Sequence, residues 1–111
     1  MERLDNYRQY IKQILEEYAQ LSAADTEVDT QLIFDDGRGH YQLLHVGWQH
    51  THRIYGCILH MDLKNGKIWI QHNGTEANIA AELENFGVPK QDIVLGFRSP
   101  SVRPYTGYAI T

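Results

Sequence analysis

The 111-residue sequence contains one cysteine, Cys57, and only three prolines. A single cysteine excludes both an intramolecular disulfide and a zinc site built from several cysteines, and it favours a reducing compartment. No apolar run approaches the roughly 18 residues that a transmembrane helix needs, and the residues after Met1 include no apolar signal region. We therefore expect a soluble, cytoplasmic protein that does not enter a membrane.

Positive charge is also scarce. Ten Lys and Arg residues against 14 Asp and Glu residues give a formal net charge of -4. A protein that coats a phosphate backbone needs many Lys and Arg contacts, so the balance argues against an extended nucleic-acid surface. The apolar content of 42% is typical of a folded protein, and the length suits one core. We predict a single domain over residues 1–111.

Two segments have the apolar spacing of helices. The first stripe repeats every three or four residues and consists of Leu4, Tyr7, Ile11, Ile14, Tyr18 and Leu21. Such a stripe predicts a long helix docked on a sheet. A second, shorter helix is predicted after Thr75 as N-cap, with Ile79, Leu83 and Phe86 buried and Gly87 just past its end.

The intervening residues alternate between apolar and polar side chains, which predicts strands. The predicted strands cover residues 28–34, 40–48, 53–63 and 67–72, with a last strand at 105–110. Asn65 and Gly66 suit a type I′ hairpin turn, which places Met61 opposite Ile70 and puts Cys57 and Tyr55 on the same, core side of the sheet. The order of elements predicts an α+β fold, with an antiparallel meander sheet of four to five strands and the N-terminal and central helices packed on one face.

The sequence predicts no catalytic residue, no cofactor and no metal site. Six histidines invite a metal hypothesis, but pairing His45 with Gly56 puts His45 and His60 on one sheet face about 13 Å apart, too far for one ion. Cys57 lies in mid-strand, where a thiol is usually a small buried hydrophobe. Asp62 has no acidic neighbour on its face, so the carboxylate cluster of a two-metal nuclease is missing. We expect a binding protein rather than an enzyme.

Aromatic and arginine side chains are the most informative surface features, because these residue types are enriched at interface hot spots. The candidate partner-binding residues are Trp48, Arg53, Trp69, Arg98, Arg103 and Tyr105. The sheet face that carries Ile58 and Trp69 has no predicted covering helix. An uncovered apolar face attracts a partner. We expect the tail, a second copy or a companion protein to cover it, and rank a homo-oligomer first for the isolated chain.

Several segments together resemble one family. They are HYQLLHVGW (40–48), RIYGCILHMD (53–62), GKIWIQ (66–71), NGTE (73–76), VPKQDIVLGF (88–97) and YTGY (105–108). These segments resemble the XisI family, the fdxN element excision controlling factor proteins of cyanobacteria, and the resemblance extends over nearly the whole chain. The resemblance implies a small α+β protein, and the family offers no catalytic residues that could be assigned to positions of this chain.

The resemblance also implies a biological role. Such a protein acts with a companion, XisH, as an accessory to the recombinase that excises a DNA element during heterocyst development. We therefore hypothesise a non-enzymatic regulatory protein with an XisH-like partner in site-specific DNA excision. The alternative is a DNA-contacting or nuclease-associated subunit with a direct role in DNA binding or cleavage. Convergence of Arg38, Arg53, Arg98 and Arg103 in one groove would favour that alternative.

Overall fold

The computed structural model describes residues 2–22 and 27–111. Its helices and strands are α1 (Glu2–Ser22), β1 (Val28–Asp35), β2 (His40–Gln49), β3 (His52–Lys64), β4 (Lys67–Asn73), α2 (Ile79–Asn85) and β5 (Ile93–Leu95), with short 3-10 turns at Lys90–Asp92 and Arg103–Tyr105. The strands form one sheet in sequence order, antiparallel from β1 to β4. The predicted α+β class is confirmed. No helix in the described ranges has the length and apolar composition to span a bilayer.

The fifth strand differs from the predicted one. β5 runs parallel to β4, because α2 lies between them and returns the chain in the same direction. The predicted strand at 105–110 is wrong: Arg103–Tyr105 is a 3-10 turn, and only Ala109 forms an isolated bridge, to Val94. Pro104 lies inside this turn and fixes its own φ at about −65°, which suits a 3-10 turn at the point where the strand was predicted to begin.

Both helices pack on the same side of the sheet, as predicted. The buried sheet residues on that side, which we call the core face, are Tyr41, Leu43, Leu59, Met61, Ile68, Ile70 and Ile93. α1 covers this face with Tyr7, Ile11, Ile14 and Leu15, whereas Leu21 is exposed in its last turn. The opposite side, which carries His40, His60, Asp62 and Trp69, is called the second face.

Two bulges interrupt the strand pairing. The predicted pairing of His45 with Gly56 is confirmed, but Ile58 is an extra residue in β3 and Gln71 is an extra residue in β4. Because side chains alternate along a strand, one extra residue moves every side chain beyond it to the opposite face of the sheet. Tyr55, expected on the core side, is 69% exposed. His45 shares the side of Leu43, so it and His60 lie on opposite faces and not on the same one.

The β3–β4 turn has the predicted geometry. Asn65 and Gly66 have φ values of 54° and 75°, and Met61 pairs with Ile70. At the next helix the prediction is partly wrong. Asn78, rather than Thr75, caps α2 by accepting a hydrogen bond from the Ala81 N–H, while Gly87 ends the helix as expected.

Substituting Gly66 by valine should lower the free energy of unfolding by about 1–3 kcal/mol, because a β-branched residue resists positive φ. A Cβ at this position would also lie 3.0 Å from the Arg3 guanidinium. Urea unfolding measures the loss of stability. Asn65→Gly is the control, because glycine also adopts the positive φ that the turn requires at this position. A valine variant as stable as the parent protein would contradict the turn.

Candidate functional site

A buried carboxylate lies in the middle of the second face. Asp62 of β3 pairs with His40 of β2 on one side and with Trp69 of β4 on the other. It is only 9% exposed, although a buried charge is costly unless hydrogen bonds satisfy it. The surroundings of Asp62 must therefore supply donors to both carboxylate oxygens.

Three side chains supply those donors. Asp62 Oδ1 accepts hydrogen bonds from His40 Nδ1 at 2.9 Å and from His60 Nε2 at 2.8 Å. Asp62 Oδ2 accepts one from Gln71 Nε2 at 3.0 Å. We call these four residues the Asp62 cluster. Burial raises the pKa of Asp62, but the hydrogen bonds from His40, Gln71 and His60 outweigh it and hold the pKa below its ordinary value. The carboxylate is thus charged at neutral pH.

The bulges in the sheet explain why this cluster forms. Trp48 pairs with Arg53 near the β2–β3 turn. If the pairing continued from there without a bulge, His40 would lie opposite Met61, which is on the core face. The extra residue at Ile58 moves His40 opposite Asp62 instead. Sequence reasoning missed the cluster because a single extra residue leaves no periodic signal.

Trp69 is covered by the C-terminal tail. It is only 8% exposed, and the Arg103 guanidinium lies 5.2 Å from the centre of its ring. Lys64 Nζ lies 4.8 Å from the same ring, so two cations contact one aromatic side chain. The tail after β5 therefore folds back over the second face at Trp69, which is one of the three coverings expected from the sequence.

A second group of predicted residues lies at the β2–β3 hairpin. The Arg53 guanidinium is 5.2 Å from the Trp48 ring centre and 5.9 Å from that of Tyr55. Trp48 and Tyr55 are both exposed, and we call the three residues the hairpin patch. Arg53 and Asp62 are nine positions apart along β3, which corresponds to about 30 Å. Tyr55 was missed because it had been assigned to the core side.

The remaining predicted residues lie in the tail. Arg103 Nε donates a hydrogen bond to the Arg98 carbonyl oxygen at 3.1 Å, which links two arginines of this segment. The Arg98 guanidinium lies over the exposed Phe97 ring at 5.1 Å, and Tyr105 is 88% exposed. The six candidate partner-binding residues thus form a hairpin group and a tail group, and Trp69 is buried beneath the latter.

The described residues contain few reactive groups. Burial raises the pKa of the Cys57 thiol, which lowers its reactivity. In the described ranges, one cluster offers three metal-ligand atoms close together: His40, His60 and Asp62. It contains a single carboxylate, whereas phosphodiester chemistry with two magnesium ions uses several.

The matches to known proteins cover nearly the whole chain. The family model described as XisI protein matches residues 1–110. The crystal structure of a XisI-like protein from Anabaena variabilis is 47% identical, with 97% of this chain and 99% of that chain covered and a TM-score of 0.93. The crystal structure of the fdxN element excision controlling factor XisI from the same organism is 38% identical, with 98% and 99% covered and a TM-score of 0.87. No curated protein matches significantly. With a family match of this extent, the chain belongs to the XisI family.

Proposed function

We propose that this chain is a non-enzymatic accessory protein that controls excision of a DNA element by binding a companion protein of the XisH type. The observation that carries the proposal is the extent of the family match, which covers residues 1–110. A relative that covers 98% of this chain is named as an excision controlling factor. Such a relative supports the same role for this chain.

The chemistry of the second face supports binding rather than catalysis. Asp62 is held by hydrogen bonds from three neighbouring side chains, and burial raises the pKa of the Cys57 thiol, which lowers its reactivity as a nucleophile. A nuclease that works with magnesium or manganese requires clustered carboxylates, and the ligand cluster found in the described ranges has one.

The hairpin patch supports a protein partner. It joins two exposed aromatic rings to one arginine, and these residue types contribute most to interface energies. An exposed aromatic side chain also loses little conformational entropy when it is buried by a partner. We therefore propose the hairpin patch as the main contact, with Arg98 and Tyr105 of the tail as a second one.

Direct DNA contact receives less support. Arg53 lies at the hairpin, about 30 Å along β3 from Asp62. Arg38 lies in the β1–β2 turn, where its Nη1 is 3.7 Å from Asp35 Oδ2, whereas Arg98 and Arg103 are in the tail. These arginines therefore do not form a single basic groove, and the net charge of -4 opposes nonspecific DNA binding.

Co-expression with an XisH-like protein, followed by affinity capture, tests the proposal. We expect the companion to be retained, and the Trp48→Ala and Arg53→Ala double variant to weaken retention by about tenfold or more. Leu21→Ala removes an exposed side chain from α1 and should leave retention of the companion unchanged. Failure to retain the companion would contradict the proposal, and capture of DNA by the isolated chain would support the alternative.

A further inference from the structure

We propose that the Asp62 cluster binds one divalent transition-metal ion, with zinc as the best match, through His40 Nδ1, His60 Nε2 and Asp62 Oδ1. These atoms lie within 4.8 Å of one another. Ligand atoms about 2.1 Å from a tetrahedral zinc ion are separated by about 3.4 Å. The two contacts of Asp62 Oδ1, 2.9 Å to His40 Nδ1 and 2.8 Å to His60 Nε2, must each lengthen by about half an ångström. Small rotations of the His40 ring and of the Asp62 carboxylate provide that change.

The set of donor atoms determines which ion fits. Two imidazole nitrogens and one carboxylate oxygen match zinc and the neighbouring transition metals, whereas magnesium and calcium prefer oxygen ligands throughout. Three protein ligands leave one coordination position open. His40 is more than half exposed, so solvent reaches this side of the cluster and a water molecule or a partner's side chain can complete the coordination.

The hydrogen bonds around the cluster hold these ligands in place. Gln71 Nε2 donates to Asp62 Oδ2, which leaves Oδ1 as the ligand atom. His60 Nδ1 lies 3.5 Å from the Gln42 side-chain amide. Groups of this kind behind metal ligands fix their orientation and raise their affinity. β2 and β3 are adjacent paired strands, so their backbones keep the two histidines and Asp62 in register.

Metal binding requires a change in the positions of two protons. Without metal, His40 Nδ1 and His60 Nε2 carry the protons donated to Asp62. A metal ligand needs a free lone pair, so each proton moves to the other nitrogen of its ring and both rings stay neutral. The His60 Nδ1–H then donates to Gln42 after its amide turns over, and the other His40 nitrogen donates to solvent.

Two positively charged side chains near the Asp62 cluster lower the zinc affinity that we expect. Lys64 and Arg103 lie over Trp69, which is adjacent to Asp62 in the sheet. Their positive charge opposes an incoming cation. We therefore expect micromolar rather than nanomolar zinc affinity.

Zinc titration of the chelator-treated protein by calorimetry tests the proposal. We expect one equivalent of zinc to bind, and cobalt at the same site to give visible d–d absorption. His40→Gln and His60→Gln should each weaken binding by about tenfold or more. The matched control is the double variant His50→Asn, His52→Gln, which removes the histidine pair of the hairpin and should leave binding unchanged. Asparagine tolerates the positive φ of 57° at position 50.

Circular dichroism of each variant establishes that it is folded, and the exposed position of His40 makes His40→Gln the least disruptive change. Absence of binding at millimolar zinc would overturn the proposal. So would zinc binding that survives His40→Gln and His60→Gln but disappears in the hairpin control. The test uses the isolated chain, so its outcome is independent of the companion protein.

Discussion

Replacing Gly39 by alanine should lower the free energy of unfolding by about 2–5 kcal/mol. Gly39 has φ of 75°, and a Cβ there would lie 2.4 Å from the Leu63 carbonyl oxygen. The Leu63 N–H also donates a hydrogen bond to the Gly39 carbonyl oxygen at 2.8 Å, so the two backbones cannot separate without losing it. Left-handed strain and overpacking each cost about 1–3 kcal/mol. The change also disturbs the position of His40 at the start of β2.

Gly56→Ala is the matched control. Gly56 lies within β3, and a Cβ at this position would have no neighbour within 4 Å. We expect no loss of stability there, because alanine is less flexible than glycine in the unfolded chain. Urea unfolding of both variants measures the difference. Equal stabilities would contradict the close approach of the two backbones at Gly39.

Replacing Asp62 by alanine should lower the free energy of unfolding by about 2–4 kcal/mol. The change removes the acceptor for His40, His60 and Gln71. A fully buried donor left without a partner costs about 1–3 kcal/mol, and the part-buried His60 and Gln71 lie toward the lower end of that range. His40 is more than half exposed and recovers its hydrogen bond from water, so most of the loss comes from His60 and Gln71. Thermal and urea unfolding at neutral pH measure the loss.

The same substitution has a predictable pH dependence. The pKa of Asp62 is lower in the folded protein than its ordinary value of 3.8. A group of this kind stabilises the fold fully above its unfolded pKa, and the contribution disappears as pH falls through the lower folded pKa. The stability difference between the parent protein and Asp62→Ala should therefore shrink below about pH 4. A difference that stays constant down to pH 2 would contradict the ionised state of Asp62.

Local sequence patterns predicted much of the fold. The spacing of Tyr7, Ile11 and Ile14 defined the buried side of α1, and Asn65 with Gly66 fixed the pairing of β3 with β4. These features depend on neighbouring residues, so one sequence contains the necessary information. The family resemblance was equally local, because it was carried by short segments.

The candidate site depends on features without a local signal. One extra residue at Ile58 moves His40 from Met61 to Asp62, and alternation of apolar residues does not report such a bulge. The burial of Trp69 depends on Arg103, from a tail segment remote in sequence. Both effects are tertiary, so sequence reasoning placed His45 and His40 on the wrong faces and left open which of three coverings lies over Trp69.

The central claim, that this chain acts by binding a companion protein, is tested most directly by light scattering during size-exclusion chromatography. The 12.8 kDa chain should be measured alone and after mixing with the XisH-like protein. The first run gives its own oligomeric state, which decides whether the predicted homo-oligomer forms. In the second run we predict a single species whose mass equals a sum of whole copies of both chains. Two separate peaks with the masses of the isolated proteins would contradict the claim.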